Sequence, residues 1–285
     1  METSSLARSL SSRFVAGSTL DEALRVCLKI RSEGIFATLD YLGENVHTLD
    51  EARACRDMYL RMLDALKAAE IEPNVSLKLT QFGLDLSALA CEENVAMLVE
   101  KAASIGGFVR IDMESSQYTD RTLDIVERLH SRFGACGTVI QSYLLRSALD
   151  IEPLICDGIR VRLCKGAYLE EPEVAFAGKN DVDNSYLALA ARLLEEGNYP
   201  AIASHDERMI EGVRRYAANH GIAKDRFEFQ MLYGIRRVLQ RQLVNQGYRL
   251  RLYVPFGEAW YPYFMRRLAE RPANLLFLVR NVMRT

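Results

Sequence analysis

The sequence has no run of about 18 apolar residues, the length a membrane-spanning helix needs, and no secretory apolar core follows its start, METSSLARSLSSRFVAG. That Ser- and Arg-rich start is expected to form a small N-terminal helix, with a transit peptide as the alternative. Neither sign of charge is in excess. With 36 basic and 38 acidic residues the formal net charge is −2, which excludes a broad basic field for nucleic acid and an acidic tail. The six cysteines, at 27, 55, 91, 136, 156 and 164, include no CxxC pair, so they are expected to be buried, reduced thiols of a cytosolic protein. There are only four histidines, and His47, His130 and His220 fall in turn or helical stretches, which argues against a multi-histidine metal centre. GxGxxG after a strand, the P-loop, HExxH and GxSxG are all absent, and with them the simplest dinucleotide, nucleotide, zincin and serine-hydrolase readings.

What the sequence does contain is alternation. At 285 residues, 49% hydrophobic and 26% charged, the chain can bury a generous core. Short β-rich runs occur at 35–43, 75–83, 108–115, 138–144, 159–167, 201–206, 227–234 and 249–257. Amphipathic helical windows separate them, among them 48–71, opened by a Thr48/Glu51 capping box, and 183–198. Eight strand–helix units of about thirty residues predict a closed (β/α)8 barrel in preference to an open doubly wound sheet, since such barrels typically take about 250 residues. Residues 1–33 are then an N-terminal helical extension and 34–285 the barrel.

Barrel enzymes place their chemistry where the strands end. Those ends carry Asp40 and Glu44; Lys78 and Gln81; Asp112 and Glu114; Gln141 and Tyr143; Arg162, Lys165 and Tyr168; Ser204, His205 and Asp206; Gln230 and Tyr233; Tyr253 and Glu258. Lys78, Arg162 and Lys165 interrupt apolar strands, where an unpaired charge is costly to bury. Either they form ion pairs with Asp112 and Glu114, or they face an anionic ligand. His205 alone among the histidines lies at a strand end, where a hydrogen-bonding spacer is at least as common as a ligand.

The stretch YPYFMRRLAERPAN adds two more cations. Adjacent helical residues point about 100° apart. Even so, Tyr263, Arg266, Arg267 and Glu270 stand at i, i+3, i+4 and i+7, so the four can share one flank of the last helix. Such a unit suits a carboxylate, and Glu270 could steady one arginine before the ligand arrives; a solvated helix face is the alternative.

The order of SLKLT, RIDMES, VIQSYL, VRLCKGAY, ASHD, FQMLYG, RLYVPFG and YFMRRLAERPAN along residues 35–280 resembles the proline dehydrogenase family, enzymes that use FAD to oxidise L-proline to 1-pyrroline-5-carboxylate. With no second catalytic domain in the sequence, the chain is similar to the monofunctional bacterial members. The resemblance implies a distorted barrel with the flavin across the strand ends. It places Arg266 and Arg267 on the proline carboxylate with Lys78 assisting, Glu270 orienting an arginine, and Tyr253 and Tyr263 walling the pyrrolidine ring beside Leu232 and Tyr168. Asp112 would accept a hydrogen bond from Tyr253. FAD would meet Met113, Gln141, Arg162, Lys165, Gly166, Ala167, Ser204 and His205, with Gly166 letting backbone amides approach closely.

By the same resemblance, hydride passes from proline C5 to flavin N5, and Arg162 near the redox edge raises the flavin potential. Electrons then pass to a membrane quinone, which implies a cytoplasmic enzyme in peripheral contact with the membrane, and a 1-pyrroline-5-carboxylate dehydrogenase consumes the product. Two departures are visible. Leu169 stands where the bifunctional branch has tryptophan, and Ser204 where many members have threonine. Tyr253 occupies the position that relatives acting on hydroxyproline alter, which favours proline. Two rivals are an aldolase-like lyase using Lys78 or Lys165 as a Schiff base and a non-catalytic binding barrel.

Overall fold

Strands covered by helices on one side and by a filled barrel interior on the other are buried on both faces, and the strands here read as such. The computed structural model describes residues 13–43 and 45–260. Its elements run α1 (Leu20–Ser32), β1 (Phe36–Tyr41), α2 (Leu49–Ala68), β2 (Asn74–Leu77), α3 (Ala88–Ile105), β3 (Phe108–Ile111), α4 (Thr119–Phe133), β4 (Cys136–Gln141), α5 (Ser147–Cys156), β5 (Arg160–Cys164), α6 (Lys179–Glu196), β6 (Ala201–Ala203), α7 (Glu207–Asn219), β7 (Glu228–Leu232), α8 (Arg237–Asn245) and β8 (Leu250–Phe256). Each strand pairs in parallel with the next, and β8 closes on β1 with Phe36 opposite Arg251 and Tyr41 opposite Phe256. All eight strands fall where the β-rich runs lie, and the (β/α)8 barrel is the observed fold.

Boundaries moved for physical reasons. The second strand stops at Leu77, where a 3-10 turn, Leu79–Phe82, takes over and leaves Lys78 at its N-cap. Helix α6 begins at Lys179, ahead of the apolar run that signalled it. At α2 the capping box is half formed: the Glu51 amide donates to Thr48 Oγ1 at 3.2 Å, but the Glu51 carboxylate reaches past Thr48 to accept from the His47 amide at 2.7 Å. A complete box occurs at Thr19 and Glu22, opening α1.

One apolar cluster joins strands and helices. It includes Ala23, Cys27 and Ile30 from α1, Tyr59, Met62 and Leu63 from α2, and Val75, Val109, Leu163 and Ile202 from the strands. Three cysteines, Cys27, Cys91 and Cys136, are buried in it, and burial pushes each thiol up to about 12. Cys55 and Cys164 are half-buried, and Cys156 is exposed, unlike the expectation for the set.

The barrel interior is polar toward its floor. Arg251 and Glu228, each 3% exposed, form a two-point pair at 2.8 and 3.1 Å across β8 and β7. The same guanidinium donates to Ala37 O of β1 at 2.9 Å and to Glu72 at 3.0 Å, so it ties the closure seam. Arg110 crosses to the carbonyls of Thr138 and Arg160. Gly137 makes that crossing possible, since a Cβ there would stand 2.2 Å from Arg160 O and 2.9 Å from Arg110 Nη1.

Candidate active site

The strand ends open on a cavity of about 470 Å³. Lys78, Asp112, Met113, Gln141, Arg162, Lys165, Gly166, Ala167, Tyr168, Ser204, His205, Leu232 and Tyr253, which are far apart in sequence, all line it. Glu44, Tyr263, Arg266, Arg267 and Glu270 lie outside the described residues.

Both ways of settling the mouth cations had been open, and the structure shows ion pairs. Arg162 Nη1 donates to Asp112 Oδ1 at 2.6 Å, with both side chains nearly buried. Asp112 Oδ2 accepts from the Tyr253 hydroxyl at 2.9 Å, and the Arg162 guanidinium lies 5.3 Å from the centre of the Tyr253 ring. Burial, then the negative charges of Asp112 and Asp40, push the Tyr253 phenol well above its ordinary range, so it remains a donor. Lys78 sits 4.0 Å from Asp40. The Glu114 carboxylate accepts from the Thr80 amide at 3.1 Å and hydroxyl at 2.7 Å.

Lys165 is gripped by two carboxylates that the sequence reading did not assign to it, Asp183 of α6 and Asp206 after β6, the latter at 3.1 Å. Arg208 bridges the same two acids at 3.0 Å each. Burial works to raise the Asp206 carboxyl, but hydrogen bonds from Arg208 and Lys165 override it and hold the group well below the usual carboxylate range. His205 acts as a spacer between strands, its Nε2 accepting from the Leu232 amide at 2.9 Å. Ser204 Oγ accepts from the Asp206 amide at 3.0 Å.

Gly166 has a sharper rationale than open access for a ligand. Its φ is +114°, and a Cβ would lie 2.2 Å from the Tyr143 ring, so the phenol already fills that space. Gly166→Ala is therefore expected to destabilise the fold by on the order of 2 kcal/mol and to displace the loop after β5, read as a lower urea midpoint. The same loop is pinned further on by Glu170, which accepts from the Ser116 amide at 2.7 Å and hydroxyl at 2.5 Å.

Functional candidates missed in the sequence include Gln230, Asp183 and Ser76. Gln230 stood among the strand-end residues, but nothing there showed that its amide meets Arg162 at 2.5 Å; Ser76 meets the same guanidinium at 2.9 Å. Asp183, inside a helical window, gave no signal at all.

A closed parallel barrel whose strand ends gather charged, phenolic and amide side chains around one cavity has the layout of a (β/α)8 enzyme. Comparison with known proteins narrows the class. The sequence model of the family described as Proline dehydrogenase matches residues 23–280. Proline dehydrogenase of Deinococcus radiodurans is 43% identical over 282 residues, covering 96% of this chain and 90% of that protein. Proline dehydrogenase 2 of Bacillus subtilis strain 168 is 38% identical, covering 96% of this chain and 91% of the relative. Among solved structures, proline utilization A of Bdellovibrio bacteriovorus inactivated by N-propargylglycine superposes with a TM-score of 0.86 at 30% identity. That match covers 92% of this chain and 32% of the larger protein. The chain belongs to the proline dehydrogenase family, oxidoreductases of proline catabolism.

Proposed function

We propose that this chain oxidises L-proline to 1-pyrroline-5-carboxylate with FAD and passes the electrons to a quinone. Support for a flavin comes from the donor set at the cavity. Apolar Met113, Met231 and Leu232 stand beside Arg162, Lys165, Gln141 and Ser204, which suits a flat ring system carrying polar edges and phosphates. Bound there, FAD supplies the two-electron acceptor for the substrate's hydride.

The observation that carries the reading is the Arg162–Asp112–Tyr253 network. It fixes a phenol and a guanidinium without mobile side chains, which favours precise packing of a small ring. In this proposal Tyr253, Leu232, Tyr168 and Tyr263 wall the pyrrolidine, while Lys78, Arg266 and Arg267 anchor its carboxylate and Glu270 orients an arginine. Met113, Gln141, Arg162, Lys165, Gly166, Ala167, Ser204 and His205 form the flavin side. No described helix is long and apolar enough to cross a membrane, so access to a membrane quinone is proposed to be peripheral. An enzyme with 1-pyrroline-5-carboxylate dehydrogenase activity would take the product.

The family assignment is that of an oxidoreductase, and the Schiff-base lyase using Lys78 or Lys165 is not carried further. Steady-state assay with L-proline and a soluble quinone should give quinol and 1-pyrroline-5-carboxylate in equal amounts. Flavin-loaded protein that forms neither overturns the proposal.

A further inference from the structure

Arg162 is held from three directions. Its Nε donates to Gln230 Oε1 at 2.5 Å, Nη1 to Asp112 at 2.6 Å and Nη2 to Ser76 Oγ at 2.9 Å. Beneath it, Gln230 Nε2 donates to Glu228 Oε1 at 2.5 Å, the carboxylate already paired with Arg251. Glu228 and Gln230 are two residues apart on β7, so both point into the barrel. Gln230 lines the cavity, while Glu228 is buried below it.

An amide oxygen only accepts and an amide nitrogen only donates. Between a carboxylate below and a guanidinium N–H above, one orientation satisfies both neighbours; the flipped amide would oppose acceptor to acceptor and donor to donor. Burial works against the Glu228 charge, but Arg251, Gln230 and Arg110 override it and hold the carboxyl below its ordinary range. Glu228 therefore remains the acceptor that decides how the amide turns.

We propose that Gln230 is the positioning residue of Arg162, a neutral acceptor oriented by the buried Glu228–Arg251 pair, which fixes the guanidinium while leaving Asp112 its one carboxylate partner among the described residues. Of the guanidinium's five N–H donors, three are used on described residues and two remain for an occupant of the cavity. A carboxylate at position 230 would hold Nε equally well, but beside the Arg162–Asp112 pair it would add a second negative charge and turn a balanced buried pair net negative. Neutrality is what this position contributes. The inference rests on the flavin reading of the cavity, since a nearby cation favours the reduced flavin.

The double exchange E228Q/Q230E tests it. Total charge and side-chain size are kept, and the carboxylate at 230 can accept from Arg162 and from the amide at 228; the two-point bond from Arg251 is reduced to one at the remaining amide oxygen, with Glu72 still accepting from the same guanidinium. A purely structural role for Gln230 predicts lower stability, from the lost charge beside Arg251, with the flavin potential unchanged. The expected result is a flavin midpoint potential, measured by dye equilibration without proline, that is more negative than wild type. Flavin reduction by proline should also slow on the order of tenfold with little change in KM. A wild-type potential in the folded double variant overturns the proposal. If that variant does not fold, Gln230→Met decides: it keeps length and neutrality but removes the acceptor, so reduction slowed on the order of tenfold at near-normal KM supports the proposal and wild-type kcat overturns it. Wild-type flavin that proline fails to bleach would instead overturn the dehydrogenase reading, and the potential comparison would still decide the role of Gln230.

Discussion

Asp112→Ala is expected to lower stability by roughly 3–5 kcal/mol and to reduce turnover to near background, the largest effect of any single change at the barrel mouth. Asp112 is the carboxylate that pairs with the buried Arg162 guanidinium and accepts from the buried Tyr253 phenol. Its loss strands a cation in a low-dielectric site and leaves a hydroxyl without its acceptor, and each adds to the cost. Asp112→Asn keeps the shape and one acceptor, so it should recover part of the stability and little of the turnover. Urea denaturation with steady-state kinetics separates the two effects. Wild-type stability in Asp112→Ala would mean that the Arg162 charge is compensated elsewhere.

Arg266→Met and Arg267→Met should each raise KM for proline by about 10- to 150-fold, leaving the flavin spectrum nearly intact. A hydrogen bond to a charged group contributes about 1.5–3 kcal/mol, and about 1.4 kcal/mol is a tenfold change in affinity. Both arginines lie outside the described residues, so the expectation rests on their helical spacing and on the family. Equal effects would mean that both touch the carboxylate; an effect confined to one would assign the other to closing the site. Unchanged KM in both variants would remove the pair from substrate binding.

The barrel was legible because eight β-rich runs alternate with amphipathic helices, and a helix must follow each strand for parallel pairing. The cavity residues were legible for a related reason: polar residues that interrupt an apolar strand at its end have one place to go. Partners were not. Whether Lys165 met Glu114 or Asp183 depends on how far α6 extends toward the mouth, and the apolar periodicity of that helix misplaced its start. Glu114 was one of two acids with which the cations could pair, an anionic ligand being the alternative; the turn after β2 sets the Thr80 amide and hydroxyl against its carboxylate.

Gly166 shows the same limit from another side. The resemblance placed Gly166 beside the flavin, which suggested close approach of a ligand; the Tyr143 ring that occupies its Cβ position comes from the turn after β4, and no local pattern announces it. The amide of Gln230 was equally silent, since its role depends on Glu228 below and Arg162 above.

Anaerobic titration of the flavin-loaded protein with L-proline, followed by absorbance without any quinone, tests the central claim most directly. The account predicts stoichiometric bleaching of the oxidised flavin band with one 1-pyrroline-5-carboxylate formed per flavin reduced. A band that proline leaves unchanged, together with a borohydride-trapped adduct at Lys78 or Lys165 from a carbonyl substrate, would contradict it.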